Sequence, residues 1–273
     1  MNVNKQGPGG PIAVFDSGVG GLPYLLWLKQ NLPAERFVYL ADRANFPYGE
    51  KSEQQLRMII TETVGRYIAA QRPKMMVIAC NTASVTTLAD LRRTYKIPFV
   101  GVVPAVKPAA EMSRAKSIGI FATRRTVEDP YTQDLIQTYA RDCRVSRYAG
   151  VEIVELVENR FFNTSGEEKR RILAPAVDFF LERKVDAVVI ACTHFIFVEP
   201  ELREMLGPEV RIIDSREGVG RQTIHVLQEQ QLQVGESQGQ YRDGNRFYIT
   251  RDEDEERYRR FAAEHGLQWG GKL

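Results

Sequence analysis

Short apolar runs that alternate with stretches of helical periodicity limit this chain to few folds. Apolar residues between the runs recur at spacings of three and four, most clearly after Ser52, which forms a capping-box pattern with Gln55. This alternation predicts an α/β fold with mostly parallel sheets that helices cover on both faces. The runs that predict buried strands are residues 11–16, 36–42, 74–80, 97–102, 116–123, 185–192 and 210–214.

A repeated segment indicates two similar halves. VIACNT at residues 77–82 returns as VIACTH at residues 189–194, and each copy ends an apolar strand with a cysteine. The chain has only three cysteines, so two of them occupy nearly identical settings. We therefore predict two pseudo-symmetric, doubly wound lobes with a shared active-site cleft, to which each lobe contributes one thiol.

Composition favours a small, diffusible partner. The chain has 273 residues, 43% of them hydrophobic, which is enough for one large domain or two smaller ones. Its 37 Lys and Arg against 35 Asp and Glu give a net charge of +2, too small to indicate nucleic acid or an anionic membrane as a partner.

Three further features predict a cytoplasmic protein. The first ten residues lack the apolar segment of a secretory signal and predict a flexible leader. The sequence contains no run of about 18 apolar residues, so we predict no membrane-spanning helix. Three widely spaced cysteines are typical of free thiols in a reducing compartment.

Polar residues that end the predicted strands are the candidate site residues. In sheets of this kind, ligands bind beyond the carboxyl ends of the strands, where loops and helix N-termini meet. The residues that this rule selects are Asp16, Ser17, Asp42, Cys80, Asn81, Thr82, Thr123, Cys192, Thr193 and His194.

Several kinds of chemistry could use a cysteine at a strand end. Inert burial in the core is the usual fate of a lone strand cysteine and is our interpretation of Cys143. A zinc site formed by Cys80, Cys192 and His194 would need a fourth ligand that no CxxC or HExxH spacing supplies, so we predict no metal. A Cys-His nucleophile uses one thiol and leaves the repeat unexplained.

Proton transfer by a pair of thiols uses both copies of the repeat. Inverting a stereocentre requires a base on one face and an acid on the other, with the roles exchanged in the reverse reaction. A thiol has an ordinary pKa near 8.5, and neighbours such as Asp16 or His194 could tune it for this work. Such a reaction needs neither a metal nor a redox change.

The glycine-rich segment DSGVGGLP does not match a dinucleotide site. Pro23 stands where the GxGxxG pattern, counted from Gly18, has its third glycine, and no GxxxxGK[ST] loop occurs. We therefore predict no cofactor. The glycines favour close approach of backbone amides to a carboxylate, as in a small acidic substrate.

Five segments resemble the glutamate racemase family, in the family's order. They are FDSGVGGL, PYGEKS, VIACNTAS, IACTHF and IIDSREG, and the resemblance extends from residue 12 to about residue 228. The later segment NRFYITRDEDEERYRRFA is similar to the family's ending. The resemblance implies a cofactor-independent enzyme that interconverts L- and D-glutamate for peptidoglycan synthesis.

The same resemblance implies roles for particular residues. Cys80 would act on the α-proton of D-glutamate with Asp16 beside it, and Cys192 on that of L-glutamate with His194 beside it.

Further residues match the family's supporting positions. Glu158 in ELVEN matches a glutamate that supports the second thiol, although Glu152 and Glu155 are near competitors for that role. The positions that match substrate-binding residues are Ser17, Asp42, Tyr48, Gly49, Asn81, Thr82, Thr123 and Thr193.

The resemblance also implies a domain division and an assembly. The first lobe would comprise residues 1–103 and 214–273, the second residues 104–213, and the protein would form a homodimer. The near-neutral charge separately predicts no nucleic-acid or membrane partner. The charge run at residues 251–260 would be a solvated helix face. Two alternatives stay open: an aspartate racemase or related isomerase, and a regulatory protein that binds DNA gyrase on the same fold.

Overall fold

The computed structural model describes residues 9–234 and 244–273, and residues 1–8 of the predicted leader lie outside this range. The described residues divide into two compact units. One unit combines the chain up to Val102 with the chain from Arg216 onward, and the other is Val103–Ser215. Within the described residues, no helix is both long enough and apolar enough to cross a membrane.

Ten strands and eleven α-helices make up the described chain. The strands are β1 (Ile12–Asp16), β2 (Phe37–Ala41), β3 (Met75–Ile78), β4 (Phe99–Gly101), β5 (Ser117–Ala122), β6 (Arg144–Ala149), β7 (Ala187–Ile190), β8 (Arg211–Ile213), β9 (Arg246–Ile249) and β10 (Gln268–Lys272). The helices are α1 (Leu22–Asn31), α2 (Glu53–Gln71), α3 (Asn81–Thr94), α4 (Val106–Met112), α5 (Arg124–Glu128), α6 (Pro130–Tyr139), α7 (Val151–Glu155), α8 (Gly166–Glu182), α9 (Glu199–Leu206), α10 (Arg216–Glu229) and α11 (Glu255–Glu264).

Each unit contains one parallel sheet. The first sheet has the order β10-β9-β2-β1-β3-β4, and the second has the order β6-β5-β7-β8. Every pairing in both sheets is parallel. The order β2-β1-β3-β4 in the first unit matches β6-β5-β7-β8 in the second, strand for strand. The predicted α/β class with parallel sheets is confirmed, and the two units share a topology.

All seven predicted strands are present, as β1 to β5, β7 and β8, whereas three strands were not predicted. β6 lies at the edge of its sheet and reads RVSRYA, with little of it buried. β10 is also an edge strand and reads QWGGK. β9 has only four residues and begins with Arg246. None of the three presents the long apolar run that marks a strand buried on both faces.

Helix α2 shows how the sequence fixes the first unit. The Ser52 hydroxyl accepts a hydrogen bond from Gln55 N (3.3 Å), and Gln55 Oε1 accepts one from Ser52 N (3.0 Å), which confirms the predicted capping box. Leu56, Ile60 and Val64 then pack into a buried cluster on the sheet. The second unit has a comparable cluster between α4 and the strands β5 and β7.

A buried ion pair in the first unit binds the chain segment that follows α10. Lys74 Nζ lies 2.5 Å from Glu35 Oε2 and donates to Leu232 O at 2.7 Å. Glu35 Oε1 accepts from Val234 N at 3.0 Å. Because each charged group has a hydrogen-bonded partner, the pair can remain inside the unit and hold the chain that follows α10.

The charge run at residues 251–260 forms the approach to α11 and its first turns. Arg259 and Glu255 form an exposed pair along this helix, as do Arg260 and Glu264. Tyr258 and Phe261 on the other face are buried. The predicted solvated helix face is therefore present, and it belongs to an amphipathic helix.

The contact between α1 and α10 generates a stability prediction. A Cβ atom at Gly220 would overlap the ring of Trp27, whereas one at Gly218, on the same helix, would meet open space. We expect Gly220→Ala to lower the free energy of unfolding by about 1–3 kcal/mol through overpacking. Gly218→Ala should raise it by about 0.5–1 kcal/mol because alanine favours the helix. Denaturant unfolding measures both, and equal effects would contradict this account of the contact.

The Tyr67 hydroxyl generates a second prediction. It is buried and has no hydrogen-bond partner within residues 9–234 and 244–273. Burial, followed by the nearby Tyr248, raises the pKa of Tyr67 well above its usual value. Above about pH 10 the unfolded chain therefore releases this proton while the folded chain keeps it, so stability falls as pH rises.

Tyr67→Phe should remove that contribution. We expect a free energy of unfolding at neutral pH that is unchanged or up to about 1 kcal/mol higher, since no hydrogen bond is lost. Above about pH 10 the free energy of unfolding should decrease less steeply with pH than in wild type, by up to about 1.4 kcal/mol per pH unit. Denaturant unfolding at several pH values measures both quantities, and a variant less stable at neutral pH would be inconsistent with an unpaired hydroxyl.

Candidate active site

The two VIAC repeats have the same backbone geometry. Cys80 follows β3 with φ −138° and ψ 120°, and Cys192 follows β7 with φ −138° and ψ 128°. The residue before each cysteine donates the last backbone bond to the neighbouring strand, Ala79 N to Phe15 O at 2.7 Å and Ala191 N to Phe121 O at 2.8 Å. Each cysteine is 5% exposed. The repeat in sequence is thus a repeat in structure.

Asp16, Ser17 and Cys80 come together in the first unit. Asp16 is fully buried, and its Oδ1 accepts hydrogen bonds from Gly18 N (2.7 Å) and from the Ser17 hydroxyl (3.5 Å). The Cys80 thiol in turn lies 3.9 Å from Ser17 Oγ, within hydrogen-bonding range for sulfur. The thiol is therefore connected to a buried carboxylate through one hydroxyl, a route along which a proton can be relayed.

The glycine loop after β1 is held by Tyr39. Its hydroxyl donates to Gly18 O at 2.8 Å and accepts from Gly21 N at 3.1 Å. A Cβ atom at Gly21 would lie 2.8 Å from that of Ala79, so only glycine permits this approach to the residue before Cys80. The glycines thus bring the loop against the end of β3, and dinucleotide binding is not needed to explain them.

Asp42 and Tyr48 form a buried pair next to this loop. The Tyr48 hydroxyl donates to Asp42 Oδ2 at 2.6 Å, and Asp42 N donates to Asp16 O at 2.9 Å. Burial raises the pKa of Asp42, against the opposing effect of hydrogen bonds led by that from Tyr48. Gly49, the next residue, is exposed.

The electrostatics of Tyr48 connect it to the thiol. Burial raises the pKa of Tyr48 well above its usual value, and the charges of Asp42, Cys80 and Asp16 raise it further. The phenol therefore stays protonated at neutral pH and can donate its proton to Asp42 Oδ2. Tyr48 and Cys80 also belong to one buried cluster.

Asn81 and Thr82 occupy the first turn of α3, directly after Cys80. Both are buried, and neither Asn81 Nδ2 nor Oδ1 has a hydrogen-bond partner among the described residues. A buried amide with no partner costs free energy. A polar ligand at the N-terminus of this helix would satisfy it, and the helix dipole favours an anionic one.

The second unit pairs His194 with Glu158. His194 Nε2 lies 2.7 Å from Glu158 Oε1, and both side chains are buried. His194, Cys192 and Thr193 share the start of the 3₁₀ turn Thr193–Val198, in which Thr193 is buried as well. This geometry places a histidine two residues from the thiol and holds its ring with a carboxylate.

Glu158 lies in a π-helical turn, Leu156–Arg160, that follows α7. Its competitors Glu152 and Glu155 are exposed. Irregular turns of this kind are frequent at functional sites because they redirect a side chain. Among the three glutamates, Glu158 is the one that contacts His194.

Thr123 caps α5 at the end of β5. It accepts a hydrogen bond from Thr126 N at 3.4 Å, and the two hydroxyls lie 3.1 Å apart. Since β5 corresponds to β1 in the shared topology, half-buried Thr123 occupies the position that Ser17 has in the first unit.

Two supporting residues were not predicted. Thr250 and Asn45 both bond the Asp42 carboxylate, Thr250 at 2.8 Å and Asn45 at 3.0 Å. Thr250 directly follows β9, so the strand-end rule selects it as soon as β9 is recognised as a strand. For metal binding, the described residues contain no cluster of three or more His, Cys, Asp or Glu that could hold an ion.

Comparison with known proteins gives the family. The model of the family described as Asp/Glu/Hydantoin racemase matches residues 29–218. The chain belongs to this family. Two similar racemases are the glutamate racemase of Shewanella denitrificans, 41% identical over 80% of this chain and 78% of the relative, and that of Brucella ovis, 41% identical over 81% and 80%.

Solved racemase structures confirm the predicted fold class. The Escherichia coli glutamate racemase in complex with L-glutamate and the activator UDP-MurNAc-Ala has a TM-score of 0.85 at 33% identity, over 97% of this chain and 98% of that one. A glutamate racemase isoform of Bacillus anthracis has a TM-score of 0.80 at 26% identity, over 97% of each chain. The family that the five sequence segments indicate is thus confirmed.

The buried pair of the second unit gives a prediction for this racemase-family chain. Glu158→Ala removes the carboxylate that contacts the buried His194 ring. We expect a loss of about 1.5–3 kcal/mol in the free energy of unfolding, because the buried ring nitrogen loses its hydrogen-bonded carboxylate. Glu155→Ala, on the exposed surface, should change it by no more than about 0.5 kcal/mol. Denaturant unfolding of both variants checks this, and similar losses would contradict a specific role for Glu158.

Proposed function

We propose that the protein is a glutamate racemase that uses Cys80 and Cys192 as its two acid-base groups. The observation that carries this proposal is the repeated thiol geometry: two cysteines with the same backbone conformation, each directly beyond a central parallel strand, in two units of the same topology. A symmetric pair is what inversion of a stereocentre demands.

The chemistry balances with proton transfer alone. One thiolate removes the α-proton of glutamate, and the carbon keeps the electron pair as a carbanion. The other cysteine, present as a thiol, then delivers its proton to the opposite face and becomes the thiolate. In the reverse direction the two cysteines exchange roles. Cys80 acts on D-glutamate and Cys192 on L-glutamate.

The neighbours of each thiol have separate tasks in the proposal. Asp16 acts on Cys80 through the Ser17 hydroxyl, and the contacts from thiol to hydroxyl to carboxylate support this. His194 exchanges protons with Cys192, and Glu158 holds the His194 ring. The 2.7 Å contact between His194 Nε2 and Glu158 Oε1 supports the second of these roles.

Substrate binding in the proposal rests on buried polar groups around the thiols. The unpartnered amide of Asn81 supports it most directly, because a substrate carboxylate and ammonium would supply the missing partners. The residues proposed to bind glutamate are Ser17, Asp42, Tyr48, Gly49, Asn81, Thr82, Thr123 and Thr193.

The similar proteins are the basis for the proposed substrate and cellular role. The Escherichia coli racemase structure contains L-glutamate, which supports glutamate as the substrate here. We further propose a homodimer in the cytoplasm that supplies D-glutamate for peptidoglycan. The family also includes aspartate and hydantoin racemases, so an aspartate substrate is the main alternative.

The decisive experiment follows hydrogen exchange at the α-carbon. The purified protein is incubated with L-glutamate in heavy water without added cofactor, and D-glutamate with α-deuterium is the expected product. Cys80→Ser and Cys192→Ser should each lower racemisation by about 10²-fold or more, because a serine hydroxyl is a far weaker acid and base. Cys143→Ser is the matched control and should retain the wild-type rate.

Other outcomes would assign a different function. Faster turnover of aspartate than of glutamate would make the protein an aspartate racemase on the same thiols. No exchange with either amino acid would refute the racemase proposal, and recovery of DNA gyrase by such an inactive protein would favour the regulatory alternative. Normal racemisation by either serine variant would refute the two-thiol mechanism.

A further inference from the structure

Thr250 connects the end of β9 to the Cys80 half-site, by which we mean Asp16, Ser17, Asp42, Tyr48 and Cys80 of the first unit. Its hydroxyl donates to Asp42 Oδ1 at 2.8 Å and accepts a hydrogen bond from Ala44 N at 2.8 Å. The β2–β9 pairing sets this position, since Ala41 pairs with Ile249 and Thr250 N donates to Ala41 O at 3.3 Å. Thr250 therefore contacts both ends of the short segment that begins the loop after β2.

Asp42 is bonded by protein groups on both carboxylate oxygens. Oδ1 accepts from Thr250 and Asn45, and Oδ2 accepts from Tyr48 and Asn45. The residue is fully buried. A carboxylate that is enclosed in this way holds the groups that bond it in place, so Asp42 connects Thr250 to Tyr48.

Tyr48 carries the connection from Asp42 to the thiol. It begins the 3₁₀ turn Tyr48–Glu50, which contacts α3, the helix that starts after Cys80. Its ring shares a buried cluster with Cys80, and its hydroxyl gives the 2.6 Å bond to Asp42. If Asp42 loses its bond from Thr250, the carboxylate that fixes this turn is held less firmly, by Asn45 and Tyr48 alone.

We infer that Thr250 is a positioning residue of the racemase, which acts through Asp42 to hold the Tyr48–Gly49 turn against the Cys80 half-site. This inference rests on the proposed function for its kinetic consequences and on the hydrogen bonds alone for its structural ones. Thr250 ends the NRFYIT segment, whose strand β9 follows both Cys80 and Cys192 in the sequence.

A positioning role and a merely structural role have different kinetic consequences. A substitution that only destabilises the fold leaves fewer active molecules, so the apparent kcat falls and KM for glutamate stays constant. A substitution that loosens a substrate-binding turn weakens binding in every molecule. KM then rises, even in a fully folded preparation.

Three substitutions test the hydroxyl itself. Thr250→Val keeps the shape of the side chain and removes both hydrogen bonds, and we expect KM for glutamate to rise about tenfold. Thr250→Ser keeps the hydroxyl and should stay within about threefold of wild type. Thr223→Val is the matched control, because among residues 9–234 and 244–273 the Thr223 hydroxyl bonds only the Val219 carbonyl in its own helix. Its KM should equal that of wild type.

The route through Asp42 is tested by a double-mutant cycle. Tyr48→Phe removes the hydroxyl at the far end of the connection. If Thr250 acts through Asp42 on Tyr48, the double variant should have nearly the KM of Tyr48→Phe alone. If the factors by which the two substitutions raise KM multiply in the double variant, the two residues have independent roles and the inferred route is wrong.

A second readout does not depend on glutamate turnover. Alkylation by iodoacetamide, followed at each cysteine by peptide mass spectrometry, reports how often each buried thiol becomes accessible. In Thr250→Val we expect the Cys80 rate to rise roughly threefold or more, while Cys192 in the same molecule keeps its rate. Thr223→Val should change neither.

The two proposals fail in different ways. A wild-type protein that does not racemise glutamate refutes the proposed function, and the alkylation rates then decide the positioning role. An active wild type with unchanged KM and unchanged Cys80 alkylation in Thr250→Val refutes the positioning role alone. Equal effects of Thr250→Ser and Thr250→Val would also refute it, because the hydroxyl would then not be responsible.

Discussion

The backbone ladder between the central strands is the constraint on which the candidate site depends. In parallel sheets the carboxyl ends of neighbouring strands meet at one edge, and the residues that leave the ladder there meet as well. The bonds from Ala79 to Phe15 and from Ala191 to Phe121 close the ladder at equivalent places in the two units. Cys80 and Cys192 follow directly, so their matching conformations are a consequence of matching strand ends.

The sequence predicts this part of the molecule well because burial on both faces leaves a clear apolar run. Two of the three strands it does not predict have a different environment, whereas the interior strand β9 is missed because its apolar run comprises only residues 247–249. β6 and β10 lie at sheet edges, where one face or one side meets water, and arginine or glycine is tolerated. Missing β9 also hid Thr250, which the strand-end rule would otherwise have selected. An error in secondary structure thus became an error in the site.

Glu158 shows a different limit of sequence reasoning. Glu152, Glu155 and Glu158 recur at intervals of three, a spacing that an ideal helix would place along one face. In the structure α7 ends at Glu155 and a π-helical turn follows, which turns Glu158 inward and leaves the other two exposed. Only the family resemblance favoured Glu158, because a local change of helix type leaves no clear pattern in the sequence.

The two thiols have the same backbone and unlike polar partners, and thermodynamics limits what this asymmetry can do. Cys80 neighbours a hydroxyl and a carboxylate, whereas Cys192 neighbours a histidine held by a carboxylate. Enantiomers have equal free energies in water, so kcat/KM must be the same in both directions of a racemase. Unlike partners can therefore make kcat differ between the two directions only if KM differs by the same factor. Matched strand ends give the two cysteines the same backbone geometry, and the flanking residues are free to differ.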